Sequence, residues 1–127
     1  MIMELDIDGL KIINDRYGHN EGDAAICVIA QALLHASVSE EVCIRSGGDE
    51  YVVIGRDYTQ EKLEQFNIRF DAYIEQMNQT LGKAYTFGAS RGAFIGIPDG
   101  VLTIENYLKI ADEKMYQDKK RRKAPMR

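Results

Sequence analysis

Two glycines, Gly47 and Gly48, stand between two short runs rich in β-branched and aromatic residues, "EVCIRS" (Glu41–Ser46) and "EYVVIG" (Glu50–Gly55). Such a pair is the signal of a β-hairpin with a two-residue turn. A hairpin in mid-chain dictates two antiparallel neighbours, and the flanking segments must then complete the sheet and cover it. Upstream, Ile2 to Asp8 alternates apolar and polar residues with Met3, Leu5 and Ile7 on one face, which is strand periodicity. Gly9 interrupts it. Leu10, Ile12, Ile13 and Tyr17 then mark a short helix ended by Gly18, and a longer helix is expected over about Gly22 to Ala36 with Ile26, Ile29, Ala30, Leu33 and Leu34 inward. Downstream, Leu63, Phe66, Phe70, Tyr73, Ile74 and Met77 recur at helical spacing between Gln60 and Leu81.

A fourth strand is read from "AYTFGAS", continued or returned by "RGAFIGIP" up to a turn at Pro98-Asp99-Gly100. A last helix runs from about Ile104 to Lys120, with Ile104, Tyr107, Leu108, Ala111 and Met115 inward. The order β-α-α-β-β-α-β-α, with the first two helices counted as one crossover, is the split β-α-β of α+β, ferredoxin-like folds: a mainly antiparallel sheet with helices packed on it.

That topology makes a chemical statement. The first and third strands become antiparallel neighbours, so the "DID" that ends strand one (Asp6 to Asp8) lies beside Asp49 and Glu50 at the start of strand three. Adjacent carboxylates repel unless a cation sits among them. Asp6, Asp49 and Glu50 are therefore expected to form a set of hard oxygen ligands suited to Mg²⁺, which takes its remaining ligands from water and substrate phosphates. Solvated turn residues are the plainer reading of the same acids. A calcium loop starting at Asp6 is excluded, because its fifth and sixth positions hold Leu10 and Lys11 instead of a ligand and a glycine.

A second constellation, "NDRYGHNEGD" (Asn14 to Asp23), places an amide and a carboxylate around two glycines between two helices. Such a pair can read guanine, the carboxylate accepting from N1–H and N2–H; adenine has no N1–H donor. A helix–helix turn, with Gly18 as stop and Asn20 or Asp23 starting the next helix, is the alternative. His19 reads as a hydrogen-bonded structural histidine, since no second His or Cys stands at metal-ligand spacing.

Composition sets the outer limits. With 127 residues, 45% hydrophobic and 28% charged, the chain fits one soluble domain with one core. No apolar run nears the ~20 residues of a membrane span, and "MIMELDID" lacks the basic leader and apolar stretch of a signal peptide. Cys27 and Cys43 are expected as two buried free thiols, which points to the cytoplasm. The net charge of −4 is uneven: residues 119–127 carry six basic side chains and no acid, and the remainder is strongly acidic. The basic tail reads either as a phosphate or nucleic-acid contact or as a solvated helix end.

The segments "LDIDGLKIINDRYGHNEGD" (Leu5 to Asp23), "RSGGDEY" (Arg45 to Tyr51), "SRG" (Ser90 to Gly92) and "ADEKMYQDK" (Ala111 to Lys119) resemble, in order and spacing, the GGDEF family of diguanylate cyclases. The resemblance implies one GGDEF domain over 1–127 that condenses two GTP to cyclic di-GMP and pyrophosphate. The 3′-hydroxyl of one GTP attacks the α-phosphorus of the other across a homodimer, with two Mg²⁺ or Mn²⁺ ions per active site.

Residue by residue, it implies that Asp6, the Ile7 carbonyl and Asp49 bind metal, and that Asp49 and Glu50 are the catalytic acids. It further implies that Asn14 and Asp23 read guanine, and that Gly9, Leu10, Lys11, Lys119 and Lys123 contact phosphates. A sensor or regulatory domain outside this chain is implied as well.

The chain departs from the family's pattern at several places. Tyr51 replaces the signature phenylalanine. Arg122 stands where glycine is usual and Lys123 where arginine is usual. Arg91 occupies a commonly apolar strand position. Val38-Ser-Glu-Glu41 replaces the Arg-x-x-Asp of the family's product-inhibition site, so no inhibitory site is expected. The family's leading Asp-x-Leu-Thr-x-Leu-x-Asn-Arg segment does not precede strand one, so a fragment or a shortened domain of reduced activity is expected. The competing function is a weak or inactive module that binds GTP and regulates a partner. Nucleic-acid binding through the tail is disfavoured by the acidic body and the lack of an aromatic stacking pattern.

Overall fold

The computed structural model describes residues 1–97 and 99–123; Pro98, residues 124–127 and the side chain of Lys123 lie outside the described residues, so the expected Pro98-Asp99-Gly100 turn and the end of the basic tail are only partly covered. The elements are β1 (Ile2–Ile7), α1 (Leu10–Tyr17), α2 (His19–Ala36), β2 (Val42–Arg45), β3 (Glu50–Ile54), α3 (Gln60–Leu81), β4 (Ala89–Phe94) and α4 (Ile104–Lys123). The strands form one antiparallel sheet in the order β2-β3-β1-β4. This is the split β-α-β arrangement, with β1 and β3 side by side.

Strand alternation divides the sheet's cover. Met3, Leu5 and Ile7 of β1 and Tyr51 and Val53 of β3 face one way, onto a core completed by Ile29 and Leu33 of α2 and Phe66 and Phe70 of α3. Ile2 and Asp6 face the other way, where α4 lies across β1 and β4 and buries Ala111 and Met115. Gly92 makes that crossing possible. A methyl group there would stand 2.1 Å from the Met115 amide nitrogen and 2.3 Å from the Ala111 carbonyl oxygen. The α4 backbone therefore rests directly on β4.

Arg91, the next residue on the opposite face, is explained by α3. Its guanidinium lies 4.5 Å from the Phe70 ring centre, bonds Asn67 Oδ1 at 3.0 Å and pairs with Asp71 at 2.5 Å. The charge closes the open edge of the core while its stem stays apolar.

Several expectations are corrected. β4 begins at Ala89, near the end of "AYTFGAS" instead of at its start: residues 82–88 are irregular, held by Asn78, whose side-chain amide both donates to the Phe87 carbonyl (3.1 Å) and accepts from the Phe87 N–H (2.7 Å). The peptide that would pair with a strand is thereby tied to α3. α2 starts at His19 rather than Gly22, because Gly18, at φ 93° and ψ 162°, both ends α1 and leads directly into α2.

The hairpin turn spans Ser46 to Asp49 instead of two residues: the Ser46 and Gly47 N–H groups both donate to the Glu50 carbonyl, and Arg45 Nη2 donates to the Gly48 carbonyl at 2.7 Å. Leu34 is exposed at the rim of a shallow cleft over Cys43, since β2 is the sheet's edge and no further strand covers it. Ile104 is exposed in the first turn of α4, ahead of the stretch buried at Ala111 and Met115. Cys27 is exposed and Cys43 half-buried, both free.

Candidate functional site

The expected meeting of β1 and the hairpin is present. Asp6 lies opposite Glu50 in the ladder, and the Ile7 N–H donates to the Asp49 carbonyl at 2.8 Å, extending the pairing one step into the turn. Asp6 is 5% exposed, unusual for a carboxylate. Its Oδ2 accepts from Lys119 Nζ of α4 at 2.5 Å, whereas Oδ1 is buried without a partner among the described residues.

Burial pushes the Asp6 carboxyl above its ordinary value. Asp49, close by, pushes it further and Lys119 only partly offsets them. The same ion pair holds the Lys119 ammonium above its usual range. A buried, unsatisfied oxygen beside a second carboxylate is costly in a protein and is what a hard divalent cation would satisfy. The donor chemistry of Asp6 and Asp49 therefore fits Mg²⁺ or Mn²⁺.

Glu50 does not join them. It lies on the same sheet face as Asp6, but its side chain folds back beside Gly47 and is exposed, and among the described residues no three His, Cys, Asp or Glu side chains are grouped to hold a metal. The carboxylates brought together are thus Asp6 and Asp49, with Glu50 apart from them. Neither Gly47 nor Gly48 has a positive φ, so the turn's backbone does not demand them. A methyl at Gly48 would meet nothing within 4 Å, and the surface there is open to an approaching ligand.

Beyond β1 the chain turns through Gly9, at φ 64°, into α1. α1 has no side-chain cap and no acidic residue in its first turn, so its leading N–H groups are left for an anion. Leu10 is buried and anchors the turn, while Lys11 is exposed. Asp8, just ahead of it, is tied down twice: Ser90 Oγ donates to Oδ1 at 2.6 Å and Arg122 Nε to Oδ2 at 2.8 Å. Two basic residues of the end of α4 therefore reach this edge. Lys119 and Arg122, one turn apart, grip the two carboxylates that bracket Ile7, and Arg121 pairs with Asp118. The Lys123 side chain lies outside the described residues.

The amide–carboxylate pair flanks the α1–α2 junction. Asn14 is half-buried against Gly22 at the start of α2, and Asp23 is the next, exposed residue. His19 is exposed at the head of α2. The neighbouring Glu21 is fastened by Lys83 at 2.8 Å and by the Tyr85 hydroxyl at 3.2 Å, and Lys83 holds its carboxyl below the ordinary value. This brace had no sequence signal, because its partners are more than 60 residues apart. The position of the product-inhibition motif is engaged internally: Glu41 accepts from the Ser39 N–H at 2.6 Å and from the Tyr58 hydroxyl at 2.5 Å.

Comparison with known proteins is consistent with this geometry. The family model described as diguanylate cyclase, GGDEF domain, matches residues 1–125. The probable diguanylate cyclase DgcJ of Escherichia coli K12 is 34% identical over 94% of this chain and 23% of its own length. The diguanylate cyclase DgcP of the same organism is 31% identical over 94% of this chain and 35% of its own. The chain thus spans about a quarter to a third of the length of these relatives. Among solved structures, the diguanylate cyclase SiaD of Pseudomonas aeruginosa, in complex with its activator SiaC, superposes with a TM-score of 0.80 at 24% identity, covering 94% of this chain and 46% of that one.

Proposed function

The chain belongs to the GGDEF family of diguanylate cyclase domains, and on that premise we propose that it condenses two GTP molecules into cyclic di-GMP and pyrophosphate, each of two facing copies presenting one GTP. The observation that carries the proposal is the meeting of Asp6 and Asp49 across β1 and the hairpin, with Asp6 Oδ1 buried and, among the described residues, unpartnered.

In this reading Asp6, the Ile7 carbonyl and Asp49 hold Mg²⁺ or Mn²⁺. When bound, the cation neutralises charge on the α- and β-phosphates and lowers the pKa of the attacking hydroxyl. The chain's own groups do the rest. The Gly9–Lys11 turn and the uncapped start of α1 receive phosphate oxygens. Lys119, paired with Asp6, supplies positive charge at this edge, and Lys123 a further one. Asn14 and Asp23 orient the guanine. Glu50, exposed beside Gly47, serves in this reading as the carboxylate that takes the proton from the 3′-hydroxyl brought by the facing copy. Most of the rate enhancement comes from holding the two nucleotides in line. A single domain holds half of the reacting pair, so turnover requires at least a transient dimer.

The test is incubation with labelled GTP and Mg²⁺ beside an Asp49→Ala variant. Cyclic di-GMP from the wild type alone supports the enzyme. GTP binding without product supports a regulatory module in its place.

A further inference from the structure

We propose that Gly22 is a positioning residue for nucleobase recognition: its missing side chain is the seat of the Asn14 amide, and any larger residue there displaces that amide from Asp23. The proposal rests on Asn14 and Asp23 being the base-reading pair. A Cβ built on Gly22 would fall 1.6 Å from Asn14 Oδ1 and 2.7 Å from its Cγ, and the third-nearest atom, Nδ2 at 3.3 Å, also belongs to Asn14. The side chain of Asn14 therefore occupies the volume that a methyl on α2 would take.

Backbone bonds fix the two residues in this relation. The Gly18 N–H donates to the Asn14 carbonyl at 3.0 Å, and the Gly22 N–H donates to the Gly18 carbonyl at 3.2 Å. Asn14, Gly18 and Gly22 thus stack as consecutive turns of one relay across the α1–α2 junction. Asn14 cannot retreat along its own backbone, so an added methyl moves the amide itself.

No other contact among the described residues requires glycine at this position. Gly22 lies within α2 and carries no positive φ, and alanine is the better helix residue there. Gly18, one turn of the relay earlier, is different, because its φ of 93° demands glycine whatever packs against it. Asn14 makes no side-chain hydrogen bond among the described residues, so its donor and acceptor stay available to a base edge. Asp23, one residue from Gly22 and exposed, presents its carboxylate at the same end of α2. Sequence reading treats Gly22 as a helix boundary; the structure gives it a recognition role.

The experiment is a set of binding titrations with GTP, ATP and pyrophosphate on the wild type, Gly22→Ala, Asn14→Ala and the double variant, each with its thermal unfolding midpoint. Gly22→Ala and Asn14→Ala are each expected to weaken GTP binding about tenfold, the size of one or two lost hydrogen bonds. The double variant should be no weaker than either single one, because both remove the same contact. Pyrophosphate affinity and the already weak ATP affinity should not move, which separates base reading from loss of fold. If Gly22→Ala alone unfolds, the double variant is expected to refold, since trimming Asn14 removes the clash. GTP affinity unchanged in Gly22→Ala but reduced in Asn14→Ala overturns the proposal and leaves the base-reading pair standing. Additive losses in the double variant, or a double variant as unfolded as the single, also overturn it. Wild-type protein that does not prefer GTP to ATP, with Asn14→Ala silent, removes the reading underneath.

Discussion

Replacing Gly92 by alanine tests how the sheet sets the site. The added methyl would lie 2.1 Å from the Met115 nitrogen, 2.3 Å from the Ala111 oxygen and 2.6 Å from the Lys114 carbonyl carbon, where ordinary contact begins at 3.4 Å. All three are backbone atoms of one helix, so no rotamer change relieves the overlap and α4 must lift by about 1 Å. Forcing a methyl into a closed contact costs roughly 1–3 kcal/mol, which in a domain of this size lowers the unfolding midpoint by roughly 4–12 °C.

The functional consequence should exceed the stability loss. Lys119 and Arg122 ride on the same helix and bond Asp6 and Asp8 at 2.5 and 2.8 Å, so a lift of that size breaks both contacts. A 1 Å misplacement of positioning groups is worth about 10²-fold in rate. The assays are thermal unfolding and cyclic di-GMP formation under conditions where the variant is fully folded. A folded Gly92→Ala variant with wild-type midpoint and wild-type turnover would refute the claim that α4 rests on β4 and carries its cations to the site.

Three further outcomes are expected. Arg91→Ala should cost about 1–2 kcal/mol in urea unfolding, because it removes the cation over Phe70 and bares the core edge, whereas Asp71→Ala should cost under about 0.5 kcal/mol, the acid itself being exposed; equal effects would contradict the assignment. Asn78→Ala should cost about 1–3 kcal/mol by stranding both polar groups of Phe87, and hydrogen exchange should speed up selectively across residues 82–88. Titration with cyclic di-GMP should show no tight site at Val38–Glu41, where Glu41 is held by Ser39 and Tyr58; inhibition lost on changing Glu41 would reverse that.

What sequence could show, and what it could not, divides along physical lines. The alternation of Ile2 to Asp8 and the helical spacing of Leu63 to Met77 located β1 and α3, because one-sided burial writes its period into the chain. The hairpin signal then implied the β1–β3 pairing, and with it the approach of Asp6 to Asp49. Periodicity did not say where cover stops: Leu34 and Ile104 have core spacing yet lie beyond the reach of the sheet. Nor did it show contacts made only in three dimensions. Lys119 is 113 residues from Asp6, Arg122 is 114 from Asp8, and the Asn78 clamp that keeps residues 82–88 out of β4 involves no pattern of hydrophobicity. Gly22 and Gly92 carry their meaning in what they lack, which becomes visible only once Asn14 and α4 are placed against them.

The coordination claim is reached most directly by anomalous diffraction from crystals grown with Mn²⁺ and a non-hydrolysable GTP analogue. The expected result is a manganese peak between the Asp6 and Asp49 carboxylates, with the triphosphate over the Gly9–Lys11 turn. Manganese bound elsewhere, with the Asp6 carboxylate still held by Lys119 alone, would contradict it.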